Sequence, residues 1–253
     1  MIKLLLCEYK KTRRLYILLT AFAITAIQIV WSAYGNYNND VLKNGYMMFL
    51  YELPLVNAIF LPIMTIVISS RLCDTEHKGL MLKHLCAIAP KGKIYDAKLI
   101  FGLSIMIVCI IISWVSIIIF GKYIGFMDKF PLKLYLLYLL FTTVPTIALY
   151  IFQHILSLCF KNQAIGLFTG VLGEFIGIFS MFLPQFPMLR RLTPWGYYGV
   201  LQFVGMFGWS KETRMKNIYF QTMDIDWTFF IVIVLISFVT YLIGKRIFIK
   251  KEV

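Results

Sequence analysis

Six long apolar runs, separated by short polar segments, set the pattern of the chain. They cover residues 15–33, 53–70, 99–120, 134–160, 166–182 and 229–248. Each is at or near the roughly 20 residues that carry a helix across about 30 Å of hydrocarbon. The first follows Lys10, Lys11, Arg13 and Arg14, but its 19 residues exceed a signal-peptide core and no small-x-small cleavage site follows, so it reads as an uncleaved span. A further apolar stretch, Trp195 to Trp209, is interrupted by Gly196, Gly199, Gly205 and Gly208 and is too short and broken to cross; it is expected to be interfacial or re-entrant. The expected fold is all-α: one polytopic transmembrane domain over residues 1–253, with six transmembrane helices, an N-terminal interfacial helix and the interfacial or re-entrant element before the last helix.

Composition narrows the function. The chain is 60% hydrophobic and 15% charged, against about 45–50% and 25% in soluble domains. Six spans use about 120 residues, leaving no room for a separate catalytic domain. Nor do Walker A, H-E-x-x-H, G-x-S-x-G or dinucleotide-binding patterns occur. The net charge of +13 does not point to nucleic acid, because the cations flank apolar runs, where they set topology and meet lipid headgroups.

With both ends inside, 16 of the 25 lysines and arginines fall on cytoplasmic segments. Five of the others (Arg190, Arg191, Lys211, Arg214 and Lys216) share the long extracellular loop 183–228, which carries less weight in the positive-inside rule. Lys43, Lys122, Lys129 and Lys133 make up the rest. The expected location is a cell membrane, multi-pass, with N- and C-termini cytoplasmic.

Three segments carry candidate mechanism. Met1 to Arg14 mixes Ile2, Leu4, Leu5, Leu6 and Tyr9 with cations and Glu8, as a helix lying on the inner membrane surface would. The cytoplasmic loop 71–98 places Leu80, Leu82, Leu85 and Ile88 on one side of a short helix ended by Pro90, with Asp74, Glu76, Lys78 and Lys83 in water. Such a piece fits a docking surface for a soluble partner, or a solvated loop. Cys73, His77, His84 and Cys86 in that loop match no zinc spacing, so no metal is expected. Five cysteines without a C-x-x-C pair argue against a disulfide framework.

The fifth span holds Gly166, Gly170, Gly173 and Gly177, spaced four, three and four, with Ser180 three further on. That is one stripe for close helix packing. Glu174 stands beside it at mid-span, where an ionised carboxylate costs about 2.5–3.5 kcal/mol on insertion scales. It is expected either in a buried hydrogen bond or on a substrate path. Pro62 and Pro145 are expected to bend the second and fourth spans, and Gln153 and His154 to be polar packing partners.

The order of these features resembles the six-span permeases of ABC-type exporters: a basic N-terminal helix with Glu8, Lys10 and Lys11, two spans, then D-x-E-x-x-G at Asp74, Glu76 and Gly79, with Lys83, Pro90 and Lys98 downstream. The glycine-rich fifth span, followed by Pro184, Arg190, Arg191 and Thr193-Pro194-Trp195-Gly196-Tyr197-Tyr198, looks like the subgroup that protects bacteria from lantibiotics and related peptides. The resemblance implies a non-enzymatic transport subunit and an ATPase-coupling loop comprising Asp74, Glu76, Lys78, Gly79, Lys83 and Pro90. It also implies a substrate-facing outer segment of Arg190, Arg191, Pro194, Trp195, Gly196, Tyr197 and Tyr198. Its partners would be a separate ABC ATPase that binds ATP and Mg, a second permease, membrane lipids and an amphipathic peptide substrate, with no cofactor on this chain. A stand-alone secondary transporter or channel, and a non-transporting scaffold or sensor, are the alternative classes.

Overall fold

A computed structural model describes residues 1–35, 37, 39–78, 81–183, 185–208 and 218–251. The helices in order are α1 (Ile2–Arg14), α2 (Ile17–Ala33), α3 (Asn39–Leu42), α4 (Gly45–His77), α5 (Met81–Ile88), α6 (Lys91–Ile124), α7 (Leu132–Cys159), α8 (Gln163–Phe182), α9 (Pro187–Leu192), α10 (Tyr197–Val200) and α11 (Trp227–Lys250). A 3-10 turn, Pro194–Gly196, precedes α10. The chain is an all-α polytopic membrane protein: α4, α6, α7, α8 and α11 are long and apolar enough to cross a bilayer, and α1 with α2 forms one more bent element.

The helices are longer than the apolar runs that announce them. The 33 residues of α4 and 34 of α6 extend about 50 Å at 1.5 Å per residue, well beyond about 30 Å of hydrocarbon. Both therefore project past the membrane at the end where the chain termini lie, and α5 joins them there. At 17 residues, α2 is slightly under a full crossing. It is turned 72° from α1 at Tyr16, whose φ of +53° is a left-handed conformation that a residue other than glycine adopts only where its surroundings hold it. The guanidinium Nη1 of Arg71 donates to the carbonyl of Leu15 at this corner, 3.1 Å away, and answers a helix-terminal acceptor.

Along α1, Ile2, Leu6 and Tyr9 are exposed while Glu8 and Thr12 are buried. Its apolar stripe faces away from the bundle, as an interfacial helix requires. In α5 the inward face is Leu82, Leu85 and Cys86, continued by Ala89 just after the helix, all packed on the main core. Ile88, expected on that face, is 84% exposed, because the helical repeat selects positions 82, 85, 86 and 89. Leu80 lies outside the described residues.

Two cores meet along the bundle axis. One, nearer the termini, gathers Met64, Ile68, Leu72, Tyr95, Met106, Leu149 and Tyr150. The other gathers Tyr46, Phe49, Leu53, Tyr135, Tyr138, Phe141, Tyr197 and Phe203 at the opposite end. Residues 195–208 do not cross, and Trp209 lies outside the described residues. They make the 3-10 turn, α10 and then β1 (Val204–Phe207), which pairs antiparallel with β2 (Tyr219–Thr222), Gly205 opposite Gln221. This hairpin has no counterpart in the apolar-run pattern, which at four residues per strand is too short to show alternation.

Candidate functional site

At the end that carries both termini, α1, α4 and α6 are joined by four charges. Lys98 Nζ donates to Glu8 Oε2 at 3.1 Å, to Glu76 Oε1 at 2.8 Å and to the Leu72 carbonyl at 2.8 Å. Lys11 Nζ lies 2.8 Å from Glu76 Oε1 and 3.3 Å from Glu8 Oε1. Lys98 is fully buried and Glu8 and Glu76 nearly so. All three ammonium protons of Lys98 thus have acceptors, and two carboxylates balance two ammoniums, which is the condition for holding charge out of water. Glu76 Oε2 alone is left without a partner.

Helix overhang explains why these residues can meet. Glu76 is in the last turn of α4 and Lys98 two turns into α6, so both stand on the projecting ends. Glu8 and Lys11 share a face of α1 three residues apart. Further ties close the same end: His77 Nε2 donates to the Ser157 carbonyl at 3.0 Å, Lys245 Nζ lies 2.6 Å from Asp96 Oδ2, Lys91 Nζ donates to the Lys251 carbonyl at 2.6 Å, and Lys251 Nζ donates to the Cys159 carbonyl at 2.8 Å.

The expected coupling-loop residues are thereby divided. Glu76 is a buried structural ion and not part of an outward surface; that expectation is corrected. Asp74 pairs with Lys78 four residues on, at the surface, and Lys83 and Pro90 are exposed. Gly79 lies outside the described residues. Exposed Met81, His84 and Ile88 continue the same outward face along α5. Cys73 points into the core. The pairing of Lys98 with Glu76 is not written in the local sequence pattern. The available signal was a lysine eight residues into a projecting helix just ahead of a long apolar run.

In the membrane-embedded part, a second polar group ties α2, α4 and α7. Asn57 accepts from Gln28 Nε2 at 2.8 Å and donates to Tyr138 OH at 2.6 Å and Thr142 Oγ1 at 3.1 Å. Gln153 Nε2 donates to the Gly166 carbonyl at 2.7 Å, so Gln153 does serve as a packing partner. His154 is buried between the rings of Tyr95 and Tyr150.

The glycine stripe packs as its spacing implied, but against more than a helix. A Cβ on Gly170 would sit 2.4 Å from Ile66, one on Gly173 2.4 Å from the Trp195 ring, and one on Gly177 2.8 Å from the Trp195 backbone. Trp195, Gly196, Tyr197 and Tyr198 are buried against α4, α7 and α8, and Tyr198 OH is 2.9 Å from Thr146 Oγ1. The expectation that these residues face substrate is corrected: they are core, because Gly173 and Gly177 open a groove into which Trp195 and the chain after α9 fold. Arg191 stays exposed and binds Asp226 Oδ2 at 2.7 Å over the face of Phe229, while Arg190 and Pro194 are half-buried. Pro184, Lys211, Arg214 and Lys216 lie outside the described residues. Glu174 is buried on α8 without a hydrogen-bond partner among the described residues.

A family model described as ABC-2 family transporter protein matches residues 4–180, a span that begins in α1 and ends in α8. The chain belongs to the ABC-2 transporter family. It is accordingly a membrane permease subunit, and permeases of this family normally work with an ABC ATPase subunit. A comparison with curated proteins returned no match.

Proposed function

We propose that this ABC-2 permease is half of the pathway of an exporter that removes lantibiotic-like peptides from the membrane and so confers immunity or resistance. ATP is hydrolysed on a separate polypeptide, and a second permease completes the pathway. On this reading the charge-tied end is cytoplasmic, both termini included, in line with the excess of lysines and arginines there.

The observation that carries the coupling part is the ion cluster itself. It welds α1, the foot of α4 and the start of α6 into one unit, with α5 packed beside it by Leu82, Leu85 and Cys86. A push on α5 would therefore reach two long helices without being lost in a flexible loop. Asp74, Lys78, Met81, Lys83 and Ile88 are the outward groups an ATPase would touch, three charged and two apolar.

The peptide part rests on the resemblance in the segment after α8 and on a membrane-embedded chain with no catalytic motif. The test has two arms. Co-expressed with candidate ABC ATPases of the same genome, the permease should retain one of them on purification, and the pair Lys83→Glu with Ile88→Asp should release it while the permease itself remains folded. Deletion of the gene should lower the concentration of lantibiotic that stops growth. Unchanged susceptibility across a panel of lantibiotics and other envelope-active peptides would remove the peptide reading, and failure to retain any ATPase would remove the coupling reading.

A further inference from the structure

At the end remote from the termini, between the ends of α2, α4 and α8, lies a cavity of about 450 Å³. Aromatic rings make much of its wall: Trp31 of α2, Tyr34 just after it, Phe49 and Tyr51 of α4, and Phe182 at the end of α8. Glu52 lines the same space, and among the described residues no lysine, arginine or histidine does. Among the described residues no cation lies within ion-pair distance of Glu52. Trp31, Tyr34 and Phe182 are 61%, 91% and 63% exposed, so their rings are open to a ligand. Trp31 is braced edge-on by Phe60 at 6.2 Å.

We propose that this cavity is a binding site for a cation carried on an apolar body, with Glu52 as the counter-ion and the rings of Trp31, Tyr34 and Tyr51 as its walls. The chemistry is selective in sign. The faces of aromatic rings carry negative potential and attract ammonium or guanidinium groups, most strongly where water is excluded. A carboxylate with no cation beside it among the described residues adds attraction for a cation and repels an anion. The volume is in the range of small-ligand sites, about 300–1,000 Å³; a larger amphiphile would insert one basic side chain or headgroup and leave the rest outside. The cavity's mouth is formed by helix ends, the level at which a membrane-bound amphiphile keeps its charged group.

Binding at this cavity stands on the cavity alone; only its use in peptide removal rests on the exporter reading, and the two are tested apart. Purified permease in phosphatidylglycerol nanodiscs, without ATPase, is titrated with tetraphenylphosphonium and with tetraphenylborate, which has the same shape and the opposite charge. Saturable binding of the phosphonium alone is expected. Glu52→Gln should weaken it about ten-fold, Trp31→Leu should weaken it several-fold, and Glu52→Asp should restore most of the loss. Equal binding of the borate, or unchanged phosphonium affinity in Glu52→Gln permease with wild-type thermal unfolding, overturns the proposal. Competition then separates two sources of the cation. Displacement by phosphatidylethanolamine in the disc points to a lipid ammonium, and displacement by a lysine-bearing amphipathic peptide points to transported substrate. Neither competing, with the phosphonium still bound, would limit the site to small cations and overturn its extension to amphiphiles. Intact binding in a strain whose peptide resistance ignores Glu52→Gln would sink the transport reading of the site and leave the site itself standing.

Discussion

Lys98 Nζ and Glu76 Oε1 stand 2.8 Å apart with the lysine wholly shielded from solvent, and each also binds a charge of α1. Removing one member of such a group strands the others. Glu76→Gln or Lys98→Met alone should destabilise the permease by about 3–5 kcal/mol. The double variant, which leaves Glu8 and Lys11 as a balanced pair, should recover a large part of the loss. Thermal unfolding in detergent, followed as a double-mutant cycle, measures the difference; additive losses would show that the two charges do not act as a unit.

The glycine stripe should respond unequally to alanine. At Gly177 the new methyl meets backbone atoms of Trp195 at 2.8 Å, which cannot turn aside, whereas at Gly166 it meets the Gln153 amide at 3.3 Å. Gly177→Ala is expected to cost about 1–3 kcal/mol and Gly166→Ala clearly less. At Gly170 the obstacle is the Ile66 side chain, so Ile66→Ala should rescue Gly170→Ala. Yield of monodisperse protein and its melting temperature give the ranking.

Asp128 supplies a pH test at the other end of the bundle. Its carboxylate accepts from the Tyr46 amide at 3.0 Å, at the start of α4, as a capping group does for unsatisfied helix amides. Burial raises its pKa, against the lowering effect of backbone N–H groups at Asp128, Tyr46, Met47 and Gly45. A carboxyl with a raised folded-state pKa favours the fold most below its unfolded value, and that contribution is lost as pH climbs through the folded one. Asn keeps an acceptor and drops the titration. The stability of the wild type relative to Asp128→Asn should therefore decline as pH rises through the carboxylate range, read from paired melting curves; a rising difference would reverse the sign.

Glu174→Gln separates structure from transport. With the carboxylate on a buried face of α8, the neutral isostere should melt no lower than wild type, since burying an ionised group costs about 2.5–3.5 kcal/mol on insertion scales. Peptide resistance should fall if the carboxylate serves the pathway, and that fall is expected. A variant with full resistance would leave Glu174 without a role in transport.

Much of the membrane architecture was legible in the chain because it depends on local quantities. The length of an apolar run decides whether a helix can cross, and the runs in α4, α6, α7, α8 and α11 were all visible. The outward apolar face of α1 and the glycine stripe of α8 follow from helical spacing alone. Helix ends were less visible: residues 71–77 and 91–98 extend α4 and α6 through polar residues that a hydropathy pattern leaves outside the span. The four-residue strands were not visible at all.

The bilayer-crossing helical class and the features written within one helix are local, since hydrophobic length and three-to-four-residue spacing belong to neighbouring positions. Packing between helices is what makes Glu8 and Lys98, 90 positions apart, share one buried cluster with Glu76, and what makes Trp195 fill the groove at Gly173 and Gly177. A lysine in solvent and a lysine in a dry ion cluster are the same letter, and which it becomes depends on what the neighbouring helices bring within 3 Å of it.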